Sequence, residues 1–131
     1  MIGSIRHQIT IDRSADDVWR LVGDPPRLSE WFPDFISSTV EGSTRTVTSA
    51  SGISIDEELL VVDSILHRLQ YRLELPIVTF HRGTIDVIEL DEAKSLVVYA
   101  TDADPRIMAM VIGSATARAL REAKRQLEGA T

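Results

Sequence analysis

The chain has 131 residues, of which 44% are hydrophobic and 26% are charged, and these proportions are typical of one globular domain spanning residues 1–131. Because it contains no cysteine, disulfide bonds, a cysteine nucleophile and thiolate metal sites are excluded. Residues 1–104 hold 9 Lys/Arg against 18 Asp/Glu, whereas residues 105–131 hold 5 against 2. The acidic body argues against nucleic acid as a partner.

The first seven residues lack the apolar segment of a signal peptide. The longest apolar run, Ile107–Ile112, is too short to span a bilayer. We therefore expect a cytoplasmic location and no stable insertion into membranes.

The first element is a strand over residues 5–12, where apolar and polar residues alternate with the period of a half-buried strand. Ser14 is then expected to cap a short helix, which Gly23 ends. The Pro25-Pro26 pair begins a second short helix, because prolines are tolerated where the backbone N–H groups have no helical partner.

Six further strands are predicted between the second short helix and residue 101. Each is rich in β-branched residues and bounded by turn signals. Because the connections are short and contain no helical pattern, neighbouring strands are expected to be antiparallel. The predicted ranges are 36–41, 45–50, 53–62, 66–75, 80–90 and 95–101.

The last element is a long helix with Asp104 as its cap and Pro105 at its first position, extending to about Glu128. Its first half, Ile107–Ile112, is apolar all round, which predicts burial on most sides. Its second half is amphipathic. A seven-stranded antiparallel sheet must bury one face, and only this helix is long enough to cover it, so the predicted class is α+β.

Four segments carry a resemblance to a known family: residues 9–22, the motif Pro26-x-Leu28-x-x-Trp31-x-Pro33, the motif Glu57-x-Leu59-x-x-x-Asp63, and Arg68-Leu69-x-Tyr71. With the terminal helix, they resemble the START-like (SRPBCC) superfamily and, within it, the polyketide cyclase/dehydrase group. The resemblance implies a helix-grip fold, in which a curved antiparallel sheet surrounds the C-terminal helix and leaves room for an apolar ligand.

Three functions follow from this resemblance. The first is binding of a hydrophobic small molecule, such as a lipid, a polyketide-like compound or an isoprenoid, in the cavity between the sheet and the helix. The second is an aromatase/cyclase-type enzyme acting on a polyketide. The third is an interaction protein of the toxin–antitoxin type, with a protein partner or a second copy of the chain. The positive charge after residue 104 is either part of such a surface or a solvated helix face.

The polar candidates for the cavity are Glu57, Tyr71 and His81. Strand parity turns Glu57 toward the apolar side, where it would be a general acid/base or an anchor for a ligand carbonyl. Alternatively, Glu57 forms an inward polar pair, with Arg82, Arg68 or His81 as partner, or is turned outward by a bulge. Tyr71 either orients a ligand or belongs to the core.

No catalytic residue is assigned, and the histidines lack the spacing of a metal site. No cofactor motif is present, so neither a metal nor a cofactor is expected. The predicted ligand-binding residues are the three polar candidates together with aromatic and apolar residues near the cavity or its mouth, which are Trp31, Phe35, Leu59, Ile85, Tyr99, Met108, Val111 and Ile112.

Overall fold

The computed structural model describes residues 1–129. Its seven strands are β1 (Gly3–Ile11), β2 (Phe35–Glu41), β3 (Thr44–Ser49), β4 (Ser54–Asp63), β5 (Arg68–Leu73), β6 (Phe80–Asp91) and β7 (Lys94–Asp104). Its helices are α1 (Ala15–Val22), α2 (Leu28–Trp31), which follows a single 3₁₀ turn at Pro25–Arg27, and α3 (Arg106–Gly129).

All seven strands belong to one antiparallel sheet in the order β1-β7-β6-β5-β4-β3-β2. The long helix α3 packs against β1 and β7, and the short helices α1 and α2 each contact both the sheet and α3. The backbone of α3 approaches β1 closely at Gly3, where a Cβ atom would lie 2.7 Å from the Arg106 carbonyl oxygen. The predicted α+β architecture, with seven antiparallel strands, two short helices after the first strand and a long terminal helix, is confirmed.

The predicted cap of the last helix is wrong. Strand β7 continues through Asp104, whose carbonyl oxygen accepts hydrogen bonds from the Thr79 backbone N–H at 2.8 Å and the Thr79 hydroxyl at 3.0 Å. The reason is that Thr101 and Ala103 remain buried on the inner face, so the strand alternation extends beyond residue 101.

Strand β5 is shorter than the predicted range of 66–75. The Asp63 carboxylate accepts hydrogen bonds from the backbone N–H groups of Ile65 and Leu66, both at 2.9 Å. These bonds hold residues 63–66 in a turn, so Leu66 is exposed rather than paired within the sheet.

The first half of α3 is not buried on most sides, in contrast to the prediction for Ile107–Ile112. Ile107 is 60% exposed, and Met110 and Val111 are each 57% exposed. Only Ala109 in this stretch is fully buried, because the sheet covers a single side of the helix here. Apolar composition alone therefore does not specify how much of a helix its neighbours cover.

Candidate functional site

A cleft of about 320 Å³ lies between the first half of α3, strands β4 and β5, and the segment between α2 and β2. Six of the predicted ligand-binding residues line it, namely Phe35, Glu57, Tyr71, Met108, Val111 and Ile112. The walls are mostly apolar, and the two ionisable groups of this set, Glu57 and Tyr71, lie on neighbouring strands of the inner sheet face.

The other five predicted residues lie outside this cleft. Ile85 and Tyr99 are completely buried, Trp31 is almost so, and Leu59 packs against the same core. His81 lines a second cavity of about 500 Å³, which is formed largely by the connection between β5 and β6.

Several residues that line the cleft are absent from the predicted ligand-binding set. The apolar ones are Phe32, Ile55, Leu73, Leu75 and Ala115, and the polar ones are Asp34 and Ser49. Ile55 and Leu73 share the parity of Glu57 and Tyr71, so strand alternation was a signal that could have found them. Phe32 and Asp34 lie in an irregular segment whose position no periodicity specifies.

The floor of the cleft contains a buried ion pair that the sequence did not predict. Arg45 is 1% exposed and its Nε donates to Glu57 Oε1 at 2.6 Å. Arg45 Nη1 also donates to the Pro25 carbonyl oxygen at 3.3 Å. The hairpin register places Arg45 directly opposite Glu57. Arg45 shares the parity of the buried Val47, and that parity was the available signal.

The three partners proposed for Glu57 are therefore wrong. Arg68 pairs instead with Asp86 at 2.7 Å on an exposed part of the sheet. His81 Nδ1 accepts a hydrogen bond from the Leu73 backbone N–H at 3.0 Å. Arg82 lines the second cavity rather than the cleft.

Burial raises the pKa of the Glu57 carboxyl, and the nearby guanidinium of Arg45 opposes that shift. Removing both charges from water is costly, and their short contact offsets part of this cost. A carboxyl group in such surroundings can accept hydrogen bonds from a ligand or exchange a proton with it.

Two tyrosines adjoin this ion pair. We call Arg45, Glu57, Tyr71 and Tyr99 the polar floor; of these, Glu57 and Tyr71 line the cleft, and Arg45 and Tyr99 are their hydrogen-bond partners. The hydroxyl oxygens of Tyr71 and Tyr99 are 2.6 Å apart, and Arg45 Cζ lies 5.0 Å from the centroid of the Tyr71 ring. Burial raises the pKa of both phenols, so both stay protonated at neutral pH.

The position of Tyr71 depends on Gly83, its partner on β6. A Cβ atom at residue 83 would lie 2.5 Å from the ring atoms Cε1 and Cζ of Tyr71. The missing side chain therefore gives the ring room to lie against the β6 backbone.

His81 is a neutral imidazole in the folded protein. Its Nδ1 accepts a backbone hydrogen bond, so its Nε2 carries the proton. Burial lowers the pKa of His81 to about 4. Its ring centroid is 5.5 Å from that of Tyr71, but His81 lines the second cavity rather than the cleft.

Within residues 1–129, no group of three or more His, Cys, Asp or Glu side chains is placed to hold a metal ion. No helix in the same range is both long and apolar enough to cross a membrane. The cleft can therefore offer a ligand apolar contacts, together with hydrogen bonding and proton exchange at Glu57.

Three solved structures share this fold. The protein XoxI from Bacillus cereus has a TM-score of 0.88 at 22% identity, with 95% of each chain covered. A START superfamily protein from Mycobacterium smegmatis has a TM-score of 0.82 at 11% identity, over 98% of this chain and 99% of that one. The di-domain aromatase/cyclase BexL of the BE-7585A biosynthetic pathway has a TM-score of 0.81 at 19% identity, over 95% of this chain and 46% of that one.

No curated protein matches the chain significantly in sequence. The structural similarities show a START-like helix-grip fold, as the sequence resemblance implied. A family model described as polyketide cyclase / dehydrase and lipid transport matches residues 3–130. The chain therefore belongs to the polyketide cyclase/dehydrase and lipid transport family of START-like proteins.

Proposed function

We propose that the protein binds a small, largely apolar molecule, of lipid, polyketide-like or isoprenoid type, in the cleft between the sheet and α3. The observation that carries this proposal is the combination of apolar walls with a buried polar group, Glu57, at the floor. Ligand pockets in proteins characteristically combine apolar walls with a few oriented polar groups.

The dimensions of the cleft favour a small ligand. Its volume of about 320 Å³ is close to the lower end of the range of ligand pockets, roughly 300 to 1,000 Å³. A molecule of a few fused rings or one short chain matches this volume better than a lipid with two long acyl chains. The exposed side chain of Val111 at the rim gives such a molecule an apolar route of entry.

The test is native mass spectrometry with a panel of fatty acids, short isoprenoids and aromatic polyketides, comparing two tryptophan variants of α3. Ala115→Trp places an indole in the cleft and is expected to abolish binding, because Ala115 lines the wall. Ser114→Trp adds the same group at an exposed neighbouring position and is expected to bind as the wild type does. Unchanged binding by Ala115→Trp would place the ligand elsewhere.

Aromatase/cyclase-type catalysis is the second candidate, and it is favoured by the raised pKa of Glu57, a carboxyl group that lines the cleft. A carboxyl group with a raised pKa is suited to general acid/base catalysis on a folded polyketide chain. A polyketide synthase gene nearby would identify the substrate to test. Normal turnover of that substrate by both Glu57→Gln and Tyr71→Phe would exclude this role for the two residues.

A protein partner or a homodimer stays a prediction, as does the absence of nucleic acid binding. Part of the basic face of α3 is neutralised within the chain, where Arg118 pairs with Asp34 at 3.1 Å and Arg125 contacts Glu122. These pairs favour a solvated helix face over a surface reserved for an acidic partner.

A further inference from the structure

The polar side chains that line the cleft differ in whether a ligand can still use them. There are four of them, namely Asp34, Ser49, Glu57 and Tyr71. The Tyr71 ring lies over Gly83, and its hydroxyl pairs with that of the completely buried Tyr99 at 2.6 Å. This hydroxyl therefore extends toward β7, away from β4, and is already engaged.

Asp34 and Ser49 are engaged as well. Arg118 Nη2 donates to both carboxylate oxygens of Asp34, at 3.3 and 3.1 Å. The Ser49 hydroxyl is 2.8 Å from that of Ser51 and accepts from the Ile53 backbone N–H at 3.3 Å. Glu57 is the remaining polar side chain of the cleft.

Glu57 keeps one oxygen free. Its Oε1 accepts from Arg45 Nε at 2.6 Å, whereas Oε2 has no hydrogen-bond partner among residues 1–129 and retains accessible surface. Strand alternation places Glu57 on the inner face of β4 together with Ile55, which also lines the cleft. Glu57 also borders a smaller cavity of about 140 Å³, but its neighbours there, Asp56 and Glu58, lie on the outer face of β4. The free oxygen is therefore reached from the cleft.

The guanidinium of Arg45 does not offer a donor to the cleft. Its Nη2 has no hydrogen-bond partner among the described residues, but this atom is buried, and Arg45 does not line the cleft. Arg45 acts through Glu57 instead, because it balances the negative charge and favours the carboxylate form by donating to Oε1. In that form, Oε2 can only accept a hydrogen bond.

We infer that the ligand carries an O–H or N–H donor and no negative charge, and that it places this donor against Glu57 Oε2. An apolar or acceptor-only ligand would exclude water from this oxygen without replacing the lost hydrogen bond. A carboxylate would bring a second negative charge beside Glu57, and no cationic side chain among residues 1–129 lines the cleft. Alcohols, phenols and amines are thereby favoured over free acids.

This inference rests on the proposed function, because it concerns the ligand of the same cleft. The first experiment compares five 2-substituted naphthalenes of nearly equal size by ¹⁵N–¹H NMR titration of the wild-type protein at pH 7. Two of them carry a donor, 2-naphthylmethanol as a neutral alcohol and 2-naphthylmethylamine as a cation, so their relative affinity identifies the source of the donor. Of the others, 2-methoxynaphthalene only accepts, 2-ethylnaphthalene neither accepts nor donates, and 2-naphthoate is an anion.

We expect at least one donor probe to bind about tenfold or more tightly than 2-methoxynaphthalene, and 2-naphthoate to bind least. Equal affinity of the ether and both donor probes, or tightest binding of the anion, would overturn this inference and leave the proposed function intact. If none of the five probes bound, the proposed function would fail and this inference with it.

The second experiment removes the acceptor without leaving a buried charge. The double variant Arg45→Met/Glu57→Leu lacks both members of the ion pair. It is expected to bind the preferred donor probe about tenfold more weakly than the wild type does and not to weaken 2-methoxynaphthalene binding. The matched control is Val111→Ala, which trims an apolar wall residue and is expected to weaken both probes by the same factor.

An equal loss of both probes in the double variant would show that Glu57 acts through packing and would overturn its role as acceptor. Should the double variant fail to fold, the comparison of the five probes with the wild-type protein still decides.

Discussion

The two halves of α3 meet the same sheet in opposite ways. In the second half, Ala119, Leu120 and Ala123 are at most 2% exposed and join the main hydrophobic core. In the first half, Met108 and Ile112 are only half-buried, and they line the cleft together with the sheet residues Ile55, Glu57, Tyr71 and Leu73. The second half is therefore a closed end and the first half an open end.

The difference shows what the helix does at each end. Small alanines let the second half approach an apolar surface, and this packing stabilises the fold. At the open end, the sheet instead buries the charges of Glu57 and Arg45, a cost that their mutual contact partly offsets. Apolar packing therefore stabilises the fold mainly at the closed end, and ligand binding is proposed for the open end.

The largest effect on stability is expected when the positive charge of Arg45 is removed from the polar floor. In Arg45→Met, Glu57 is left buried without its counter-charge, and we expect a loss of about 3–5 kcal/mol in the free energy of unfolding. Urea unfolding at pH 7 measures this loss. The control is the double variant Arg45→Met/Glu57→Leu, which removes both charges and is expected to recover most of the stability.

The same variant has a defined pH dependence. The pKa of Glu57 is raised by burial in the folded state, so its protonated form is favoured there and stability falls as pH rises through the folded-state pKa. Without Arg45 to oppose it, the pKa shift becomes larger. We expect Arg45→Met to gain stability as the pH is lowered from 7 to 5. A double variant as unstable as the single one would contradict the coupling between the two residues.

The next prediction compares one residue from each half of α3. Leu120→Ala removes a side chain that is 2% exposed and is expected to cost about 2–5 kcal/mol in urea unfolding. Val111→Ala, at a position that is 57% exposed, is expected to cost less than about 0.5 kcal/mol. For ligand binding we expect the reverse order: Val111→Ala weakens binding more than Leu120→Ala does, since only Val111 lines the cleft. Equal losses of stability would show that the two ends are packed alike.

The sequence predicts the number and order of the helices and strands better than it predicts the cleft. Strand alternation and turn signals depend on neighbouring residues, so the number and order of the elements could be inferred. The same parity correctly places Glu57 and Tyr71 on the inner face. Their environment could not be inferred, because it depends on how residues from several strands meet.

Arg45 and the first half of α3 show two kinds of failure. Arg45 carried a parity signal, but a charged residue in a strand is ordinarily exposed, and only the register opposite Glu57 reveals its burial. For Ile107–Ile112 no local signal existed, since the exposure of a helix depends on how far the sheet extends around it. Both failures concern the open end, where local preference and final environment differ most.

The smallest predicted effect is a pH dependence of stability that comes from His81. His81 and Glu57 are both buried near the open end, but their protonation changes the stability in opposite directions. The folded-state pKa of His81 is lowered from 6.5 to about 4, so the unfolded chain takes up a proton before the folded one does. Stability is therefore lost as the pH falls from 6.5 toward 4, by up to about 1.4 kcal/mol per pH unit.

The variant His81→Gln tests this pH response, because glutamine keeps an acceptor for the Leu73 backbone N–H but does not titrate. Urea unfolding between pH 7 and pH 5 is expected to show a shallower loss of stability in this variant than in the wild type. His7→Gln, on β1, is the matched control and is expected to retain the contribution of His81. If His81→Gln kept the full pH dependence, the buried neutral imidazole would not be its source. That result would assign the acid loss of stability to other groups, since protonation of Glu57, whose pKa burial raises, favours the folded state as the pH falls.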